Sequence, residues 1–192
     1  RILLPTMNTP ELVDSGTGIW RPVGNGRDVV VLVSGGVDSA VSLATLRDLG
    51  WNVAGLTMLL PAWTAAGPRP PGGAAEAARL CQLLGVPHFS LDLREMFQQL
   101  VLNPFCAAYR SGQTPSPCVD CNPRLKFGLV WKLASQKLGV TNLATGHYVR
   151  LIDAGGRRGL VRGLDSRRDQ SYFLYRLPND LLPRLLFPLG EI

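Results

Sequence analysis

The sequence has few of the features that mark secreted, membrane-spanning or disordered chains. It has 4 cysteines in 192 residues, too few for a disulfide scaffold. The longest apolar run, residues 29–33, is far too short to cross a bilayer, and residues 1–5 do not resemble a signal peptide. Hydrophobic residues make up 46% of the chain and charged residues 18%, which excludes a wholly disordered protein and allows a buried core.

Basic residues outnumber acidic ones. The chain has 20 lysines and arginines against 14 aspartates and glutamates, a net charge of +6. This surplus suits an anionic partner such as a nucleotide or RNA but does not require one. An initiator methionine is lacking and the chain stops just after an apolar run, so we expect it to be a fragment of a longer protein.

A strand–helix–strand pattern opens the predicted domain. A β-branched run at residues 28–33 predicts a buried parallel strand, residues 38–49 predict a helix, and residues 52–58 predict a second strand. This βαβ unit favours a Rossmann-like α/β fold with a parallel sheet and helices on both faces. The other expected elements are helices at 74–84, 94–110, 123–138, 171–177 and 181–186, strands at 87–93 and 142–145, and a hairpin of 148–153 with 159–162.

The first 27 residues differ from the rest. Their prolines and glycines follow no sustained period, which predicts a loosely structured N-terminal extension at residues 1–27. Residues 28–192 are expected to form one catalytic domain. Within it, residues 111–122 are expected to form a loop with two prolines and two cysteines, and Pro123 suits the first turn of the following helix.

The segment V-S-G-G-V-D-S, residues 33–39, joins the first strand to the first helix. Its two glycines allow a tight turn close to a ligand, and the helix N-terminus offers free N–H groups to an anion. Ser34 and Ser39 add hydroxyl donors, and Asp38 can hold Mg²⁺ or cap the helix. The segment lacks the G-K-S/T of a Walker A loop and the G-x-G-x-x-G of a dinucleotide site. A simple glycine-rich turn remains the alternative.

This segment resembles the pyrophosphate loop of the N-type ATP pyrophosphatases, which cleave ATP between the α- and β-phosphates and adenylate a carbonyl oxygen. Further motifs, in the same order along the chain, resemble those of the tRNA-specific 2-thiouridylases. They are T-P-S-P-C-V-D-C-N at 114–122, K-F-G at 126–128, A-T-G-H-Y at 144–148, D-Q-S-Y-F-L at 169–174 and F-P-L-G-E at 187–191. The resemblance implies a sheet with strand order 3-2-1-4-5.

The resemblance also implies an ATP site with Mg²⁺. Its loop residues would be Leu32, Val33, Ser34, Gly35, Gly36, Val37, Asp38 and Ser39. Met58 would lie beside the adenine and Gly146 would approach the nucleotide, while Asp38 would be both a catalytic residue and the magnesium ligand. Plain core packing is the alternative for Met58. His147 is interpreted as a hydrogen-bonded residue at a strand end and is not assigned as a base.

Cys121 matches the first catalytic cysteine of this family. A helix beginning at Pro123 and a lysine at position 126 would lower the pKa of its thiol. Cys118 stands where other members carry aspartate, and the Cys118-x-x-Cys121 spacing leaves three interpretations open: ligands of a [4Fe-4S] cluster, a transient disulfide, or two incidental thiols. Cys81 and Cys106 are expected to be packed small hydrophobes.

Two segments are expected to contact tRNA. Ser116, Pro117 and Cys118 match the family segment that meets the target base. Residues Arg168, Asp169 and Gln170 match its K-D-Q stretch, with arginine in place of lysine. Eight arginines against four aspartates between positions 150 and 184 also favour a surface for phosphates, although a solvated charged face is the alternative.

The resemblance implies ATP-dependent 2-thiolation of the wobble uridine of tRNA. AMP transfer to the uracil C2 oxygen creates a leaving group, and sulfur from a persulfide carrier protein or from sulfide then replaces it. The family's second cysteine lies downstream of F-P-L-G-E, so we expect the present chain to be incomplete. The alternatives are another PP-loop tRNA or small-molecule sulfurtransferase, and a non-catalytic nucleotide- or RNA-binding domain. The expected location is the cytoplasm or an organelle matrix, with no membrane partner.

Overall fold

The computed structural model describes residues 9–64, 67–69 and 73–192, with the backbone alone at residues 62–64 and 67–69. The strands of the described part are β1 (Leu12–Asp14), β2 (Asp28–Leu32), β3 (Asn52–Leu59), β4 (Ala62–Thr64), β5 (Gly67–Arg69), β6 (His88–Asp92), β7 (Asn142–Ala144), β8 (Val149–Ala154), β9 (Arg157–Arg162) and β10 (Leu185–Leu186). Its α-helices are α1 (Val37–Asp48), α2 (Ala74–Leu84), α3 (Arg94–Phe97), α4 (Asn103–Arg110), α5 (Pro117–Cys121) and α6 (Trp131–Leu138).

A mixed sheet forms the centre of the molecule, with its strands in the order β1-β6-β3-β2-β7-β10. Five neighbouring strands of this sheet, β6, β3, β2, β7 and β10, are parallel. Numbered by their order along the chain, these five strands follow the expected order 3-2-1-4-5. The carboxyl ends of these strands therefore meet at one edge, where an α/β sheet places its site.

The valine run of β2 explains why helices cover both faces. Successive side chains of a strand point to opposite faces, so Val29 and Val31 pack with Leu43 of α1 on one side. Val30 lies in the core on the other side, together with Phe127. The Rossmann-like α/β fold expected from the sequence is confirmed.

Two short strands of the central sheet lie where the sequence predicts none. β1 belongs to the segment predicted to be loosely structured, yet it pairs antiparallel with β6, with Leu12 opposite Leu91. β10 lies in residues predicted to be helical and supplies the fifth parallel strand. Leu181, Leu182 and Leu185 are buried and have helical spacing, but Leu182–Arg184 form only a short 3-10 turn, after which Leu185 enters the sheet. The predicted helix at 171–177 is likewise reduced to a 3-10 turn, Ser171–Phe173.

The cysteine segment is helical rather than a loop, which corrects the predicted start at Pro123. α5 begins at Pro117 and continues through a π-helical stretch, Asn122–Val130, into α6. Pro123 has no N–H to donate, and the absence of a side chain at Gly128 leaves room for the carbonyl of Pro123 five residues earlier. The wider π turn thus accommodates a proline inside the helix. A second π-helical stretch, Gln98–Leu102, joins α3 to α4.

Several other elements agree with the predictions made from the sequence. The hairpin of β8 and β9 confirms the prediction at A-G-G, and helices α1 and α2 end where glycines follow them. Among the described residues, no helix has the length and apolar character needed to cross a membrane. The division of the chain at residue 27 stays a prediction.

A buried carboxylate fixes the start of β2. Asp28 is 1% exposed and accepts hydrogen bonds from the N–H groups of Val23 and Gly24 and from Asn52 Nδ2. Burial alone raises the pKa of Asp28, but the hydrogen bonds from Val23, Asn52 and Gly24 outweigh it and lower the pKa below its ordinary value of 3.8.

We expect Asp28→Asn to lower the free energy of unfolding by about 1–3 kcal/mol at pH 7, because an amide N–H would then face backbone donors. Since the folded pKa lies below 3.8, this contribution is present above that pH and disappears as the pH falls through the lowered value. Urea unfolding at pH 7 and at pH 3 measures both effects. Asp48→Asn, at an exposed aspartate, is the control and should leave stability nearly unchanged.

Candidate active site

A cavity of about 500 Å³ opens at the carboxyl ends of β2, β3 and β7. Eight of the residues predicted to form the site line it: Leu32, Val33, Ser34, Asp38, Ser39, Met58, Gly146 and Gln170. Other lining residues that the argument below uses are Thr57, Lys126 and His147. The strand-end residues and the A-T-G-H-Y segment therefore meet at one place, as the sheet topology requires.

The glycine loop is held by hydrogen bonds within itself. The hydroxyl of Ser39 donates to the carbonyl of Gly36 at 2.9 Å and accepts from the N–H of Ser34 at 3.1 Å. Gly35 has φ +82°, and a Cβ there would lie 2.6 Å from the carbonyl oxygen of Gly73. Gly36 precedes α1 in an extended conformation, and a Cβ there would meet only Ser34 Oγ, at 3.5 Å. The two glycines thus have different tasks: the first is a requirement of the fold, and the second keeps the loop open.

A second loop touches the start of α1 from the other side. A Cβ on Gly146 would lie 2.9 Å from the carbonyl carbon of Asp38 and 3.0 Å from the nitrogen of Ser39. This contact brings Tyr148 next to Asp38, and its hydroxyl donates to Asp38 Oδ1 at 2.8 Å. The Asp38 side chain is therefore held by Tyr148 and does not cap the helix.

Arg168 extends this contact toward the solvent. Its Nη1 donates to the hydroxyl of Tyr148 at 2.8 Å, and its guanidinium carbon lies 5.3 Å from the centre of the tyrosine ring. Gln170 binds the backbone of Tyr148 twice, through its own N–H at 3.0 Å and through Oε1 at 3.2 Å. Of the three residues expected to contact tRNA here, Arg168 thus holds Tyr148 and Gln170 lines the cavity.

Asp169 has a structural role. Its carboxylate accepts hydrogen bonds from the N–H of Gly163 at 3.0 Å and from the hydroxyl of Ser171 at 2.8 Å. Burial raises the pKa of Asp169, but the hydrogen bonds from Ser171 and Gly163 outweigh it and lower the pKa below its ordinary range. These bonds hold the turn that presents Arg168 and Gln170 to either side.

His147 and Lys126 form one wall of the cavity. Burial, together with the smaller effect of the charge of Lys126, lowers the pKa of His147 to about 3. The imidazole packs against Phe127 and Phe187, and its Nδ1 lies 2.6 Å from the hydroxyl of Thr145. It is neutral at physiological pH and forms part of the wall, in line with the interpretation that it is not a base.

Cys121 lies beside this wall but outside the lining of the cavity. Burial raises the pKa of its thiol, the charge of Lys126 lowers it, and Cys118 raises it, with a net rise. The lowered pKa expected from a helix beginning at Pro123 is therefore wrong for this structure, because α5 begins four residues before Cys121 and the thiol packs into the core. Lys126 is the link between the cysteine and the cavity, since its charge acts on both.

The other cysteines divide by exposure. Cys118 is exposed, one turn before Cys121 on the same helix. Cys81 is fully buried, as expected, and burial raises its pKa to about 11. Cys106 is exposed, which corrects the expectation that it packs inside, since α4 buries none of its residues.

Ser116 and Pro117 line a second cavity of about 420 Å³, away from the first. Its walls include the aromatic side chains of Phe105, Tyr172 and Tyr175. Arg176 binds Asp120 of α5 at 2.7 Å, and Asn122 Nδ2 donates to the carbonyl of Phe173 at 3.0 Å. The D-Q-S-Y-F-L segment is thereby fastened to the cysteine helix.

The donor set fits a magnesium–nucleotide. The backbone turn at Gly36, the hydroxyls of Ser34 and Ser39 and the carboxylate of Asp38 offer donors for phosphate oxygens and one anionic ligand for Mg²⁺. For an iron–sulfur cluster, Cys118 and Cys121 lie one turn apart on α5, and within the described residues no three His, Cys, Asp or Glu side chains come together. The cluster interpretation stays a prediction.

Sequence reasoning missed Tyr148, Lys126 and Thr57 as members of the site. Tyr148 and Lys126 belong to quoted motifs, A-T-G-H-Y and K-F-G, and those motifs were the available signal. Nothing in the sequence marks Thr57, whose hydroxyl donates to the carbonyl of Val33 at 2.8 Å.

The chain is similar in sequence to known proteins. The chain matches the family model described as tRNA methyl transferase HUP domain over residues 27–192. It is 46% identical over 166 residues to a protein of Parasynechococcus marenigrum named tRNA-specific 2-thiouridylase MnmA, which covers 85% of this chain and 41% of that protein. A protein of the same name from Sorangium cellulosum is 43% identical over 188 residues, which covers 94% of this chain and 49% of that protein. The chain spans about half the length of these curated relatives or less.

One solved structure is similar over much of the chain. It is described as a predicted subunit of tRNA methyltransferase from Methanocaldococcus jannaschii, with 19% identity and a TM-score of 0.45. The alignment covers 84% of this chain and 67% of that one.

Thiol labelling distinguishes the four cysteines. At pH 8 we expect iodoacetamide to modify Cys118 and Cys106 first and Cys121 later, because burial raises the pKa of Cys121. Cys81 should react last, since a rise from 9.0 to about 11 leaves about 100-fold less thiolate. Mass spectrometry of the peptides gives each rate.

Lys126→Met should slow the labelling of Cys121 still further and leave Cys106 unchanged, because it removes the cation that lowers the Cys121 pKa. If Cys121 reacts as fast as Cys118 in the folded protein, the assigned burial is wrong.

Proposed function

Because the chain belongs to the family of the tRNA methyl transferase HUP domain, we propose that it carries out ATP-dependent 2-thiolation of the wobble uridine of tRNA. Relatives named tRNA-specific 2-thiouridylase support tRNA thiolation in general. One observation carries the finer proposal: the glycine loop and Lys126, from the helix that bears Cys121, line the same cavity. In this arrangement a nucleotide bound in the cavity and the Cys121 thiol would both lie near the ammonium of Lys126.

The cavity suits the nucleotide part of the reaction. The loop N–H groups and the hydroxyls of Ser34 and Ser39 bind the phosphates, and Lys126 faces them with its positive charge. Asp38 would hold Mg²⁺, which would neutralise phosphate charge during the transfer. Met58 lines the cavity near the end of β3, and we assign it to the contact with the adenine.

The chemistry is balanced in two displacements. The uracil C2 oxygen attacks the α-phosphorus of ATP, and the bond to pyrophosphate breaks. Sulfur then attacks C2, the carbon–oxygen bond breaks, and AMP leaves with the original oxygen. We assign Cys121 to the sulfur step with a persulfide carrier protein as the source. The outer sulfur of the persulfide R–S–SH attacks C2 and AMP leaves; the Cys121 thiolate then attacks the inner sulfur, the S–S bond breaks with its electron pair left on the uridine sulfur, and a Cys121–S–S–R disulfide remains for an external thiol to reduce. Sulfide, the other source, attacks C2 directly. Lys126 stabilises the thiolate that this step requires.

The second cavity suits the RNA. The side chains of Tyr172 and Tyr175 are more than half exposed, and their ring centres lie 6.0 Å apart. Exposed aromatic faces bind unpaired bases by stacking, whatever the base. This surface adjoins Ser116 and Pro117, which we assign to the contact with the target base, with Cys118 at the first turn of α5.

A nucleotide- or RNA-binding domain without catalysis is the second candidate, and a different PP-loop sulfurtransferase is the third. Release of pyrophosphate from ATP in the presence of tRNA separates an enzyme from a binder. Detection of 2-thiouridine in the tRNA separates thiolation from other adenylation chemistry.

Gly36→Val tests the nucleotide site without disturbing the fold. A Cβ there has Ser34 Oγ, at 3.5 Å, as its one neighbour within 4 Å among the described residues, so the variant should keep its thermal midpoint, while the valine side chain occupies the turn that we assign to the phosphates. We expect affinity for Mg²⁺·ATP, measured by calorimetry, to fall at least about ten-fold. Gly159→Val, in an open position of β9, is the matched control and should bind ATP normally. Unchanged affinity in a folded Gly36→Val variant would falsify the phosphate site.

Cys121→Ser tests the sulfur step. We expect it to eliminate 2-thiouridine while pyrophosphate release persists, because AMP transfer requires no thiol. Cys81→Ser is the buried control, and Cys106→Ser is the exposed control; both should keep thiolation. Mass spectrometry of nucleosides from tRNA incubated with ATP and a persulfide donor gives the readout, because free sulfide would attack C2 without the thiol. Formation of 2-thiouridine by the Cys121→Ser variant removes this cysteine from the mechanism.

A further inference from the structure

A chain of two hydrogen bonds crosses the rim of the first cavity, from Arg168 through Tyr148 to Asp38. Each bond is 2.8 Å long, and both are donated in the same direction, toward the carboxylate. A hydroxyl that accepts from a cation donates more strongly in turn, so the positive charge of Arg168 reaches Asp38 through the tyrosine. Asp38 and Arg168 are 130 positions apart in the sequence. The fold brings them together, because Asp38 lies in the first turn of α1 and Arg168 follows β9.

The environments of the three groups differ. The Arg168 side chain is 62% exposed, with only a 3.8 Å contact to Asp165 besides its bond to the tyrosine. Tyr148 is 8% exposed, and Gln170 fixes its backbone. One end of the chain of bonds is therefore open to an external anion, the middle is rigid, and the other end is the anionic group of the nucleotide cavity.

Electrostatics predict how an anion bound to Arg168 changes the affinity of Asp38 for a cation. A guanidinium bound through Tyr148 lessens the negative potential at Asp38, and so opposes a second cation at that carboxylate. A phosphate bound to Arg168 neutralises the guanidinium. The potential at Asp38 then becomes more negative, and a divalent cation with its nucleotide binds more tightly there.

We propose that Tyr148 and Arg168 couple RNA binding to the binding of Mg²⁺·ATP at Asp38, with Tyr148 as a positioning residue. The proposal rests on the function proposed above, because it takes the external anion to be an RNA phosphate. Coupling of this kind is reciprocal, so ATP tightens RNA binding by the same factor that RNA tightens ATP binding. The enzyme therefore assembles its nucleotide site fully only when RNA is present.

Calorimetry of a non-hydrolysable ATP analogue, with and without a short RNA hairpin that has uridine in its loop, measures the coupling. In the wild-type protein the hairpin should tighten binding of the analogue about five-fold or more in the presence of Mg²⁺, and should have no such effect in EDTA. Arg168→Gln should bind the analogue without RNA as tightly as the wild type does with RNA. Tyr148→Phe should bind both ligands but lose the gain.

Arg167→Gln is the matched control. Arg167 is the neighbouring arginine, 89% exposed and paired with Asp165 at 3.3 Å, without a bond to Tyr148. It should weaken RNA as any phosphate contact does, yet keep the full gain. Loss of the gain in this control to the same degree, or its retention in a folded Tyr148→Phe variant, overturns the coupling.

The wild-type protein separates this inference from the proposed function. If it binds neither the analogue nor the hairpin, both the function and the coupling are wrong. If it binds each ligand alone but shows no gain when both are present, the coupling is wrong and the proposed function stands.

Discussion

The close approach of backbone segments around the glycine loop is the constraint on which the site depends. Gly146 brings the A-T-G-H-Y segment within van der Waals distance of the peptide between Asp38 and Ser39, and Gly35 faces the carbonyl of Gly73 at a distance that no side chain permits. A larger residue at Gly146 separates the loops and breaks the bond between Tyr148 and Asp38. The two glycines therefore act through distances between main chains, and the polar groups of the cavity follow from them.

A buried chain of hydrogen bonds supports the floor of the cavity. Thr57 donates to the carbonyl of Val33, so its oxygen accepts from His88 Nε2, and the His88 Nδ1 accepts from the hydroxyl of Ser15. Burial lowers the pKa of His88, and the charge of Asp14 raises it by less. The ring is therefore neutral, as an Nδ1 that accepts a hydrogen bond requires. His88 thus links the segment around β1 to residues that line the first cavity, although the sequence of that segment has no periodic pattern.

The sequence allowed the central sheet, most helices and the residues of the loop to be predicted, because β-branched runs and glycines carry strong local signals. It did not allow β10 to be predicted, since Leu181, Leu182 and Leu185 have the spacing of a helix, and only pairing with β7 makes Leu185 and Leu186 a strand. The sequence predicts that this helix begins at Pro123 rather than at Pro117, because a proline in a helix normally marks its first turn. The contact of Tyr148 with Asp38 joins residues 110 positions apart, and no local pattern reports such a distance.

Lys126 sets the relation between the two halves of the site. In the part of the chain that the structure describes, its ammonium forms no ion pair, and the neighbouring His147 is kept neutral by burial. Its charge therefore acts on whichever anion is nearest: a phosphate in the cavity, or the thiolate of Cys121. One cation that serves two anions stabilises each less when both are present. Burial already disfavours the Cys121 thiolate, and Lys126 is the cation that favours it. A nucleotide bound in the cavity would reduce this effect of Lys126 on the thiolate. Departure of the phosphates would restore it. Under the proposed function, this arrangement favours nucleotide chemistry first and ionisation of the cysteine afterwards, the order that adenylation followed by sulfur transfer requires.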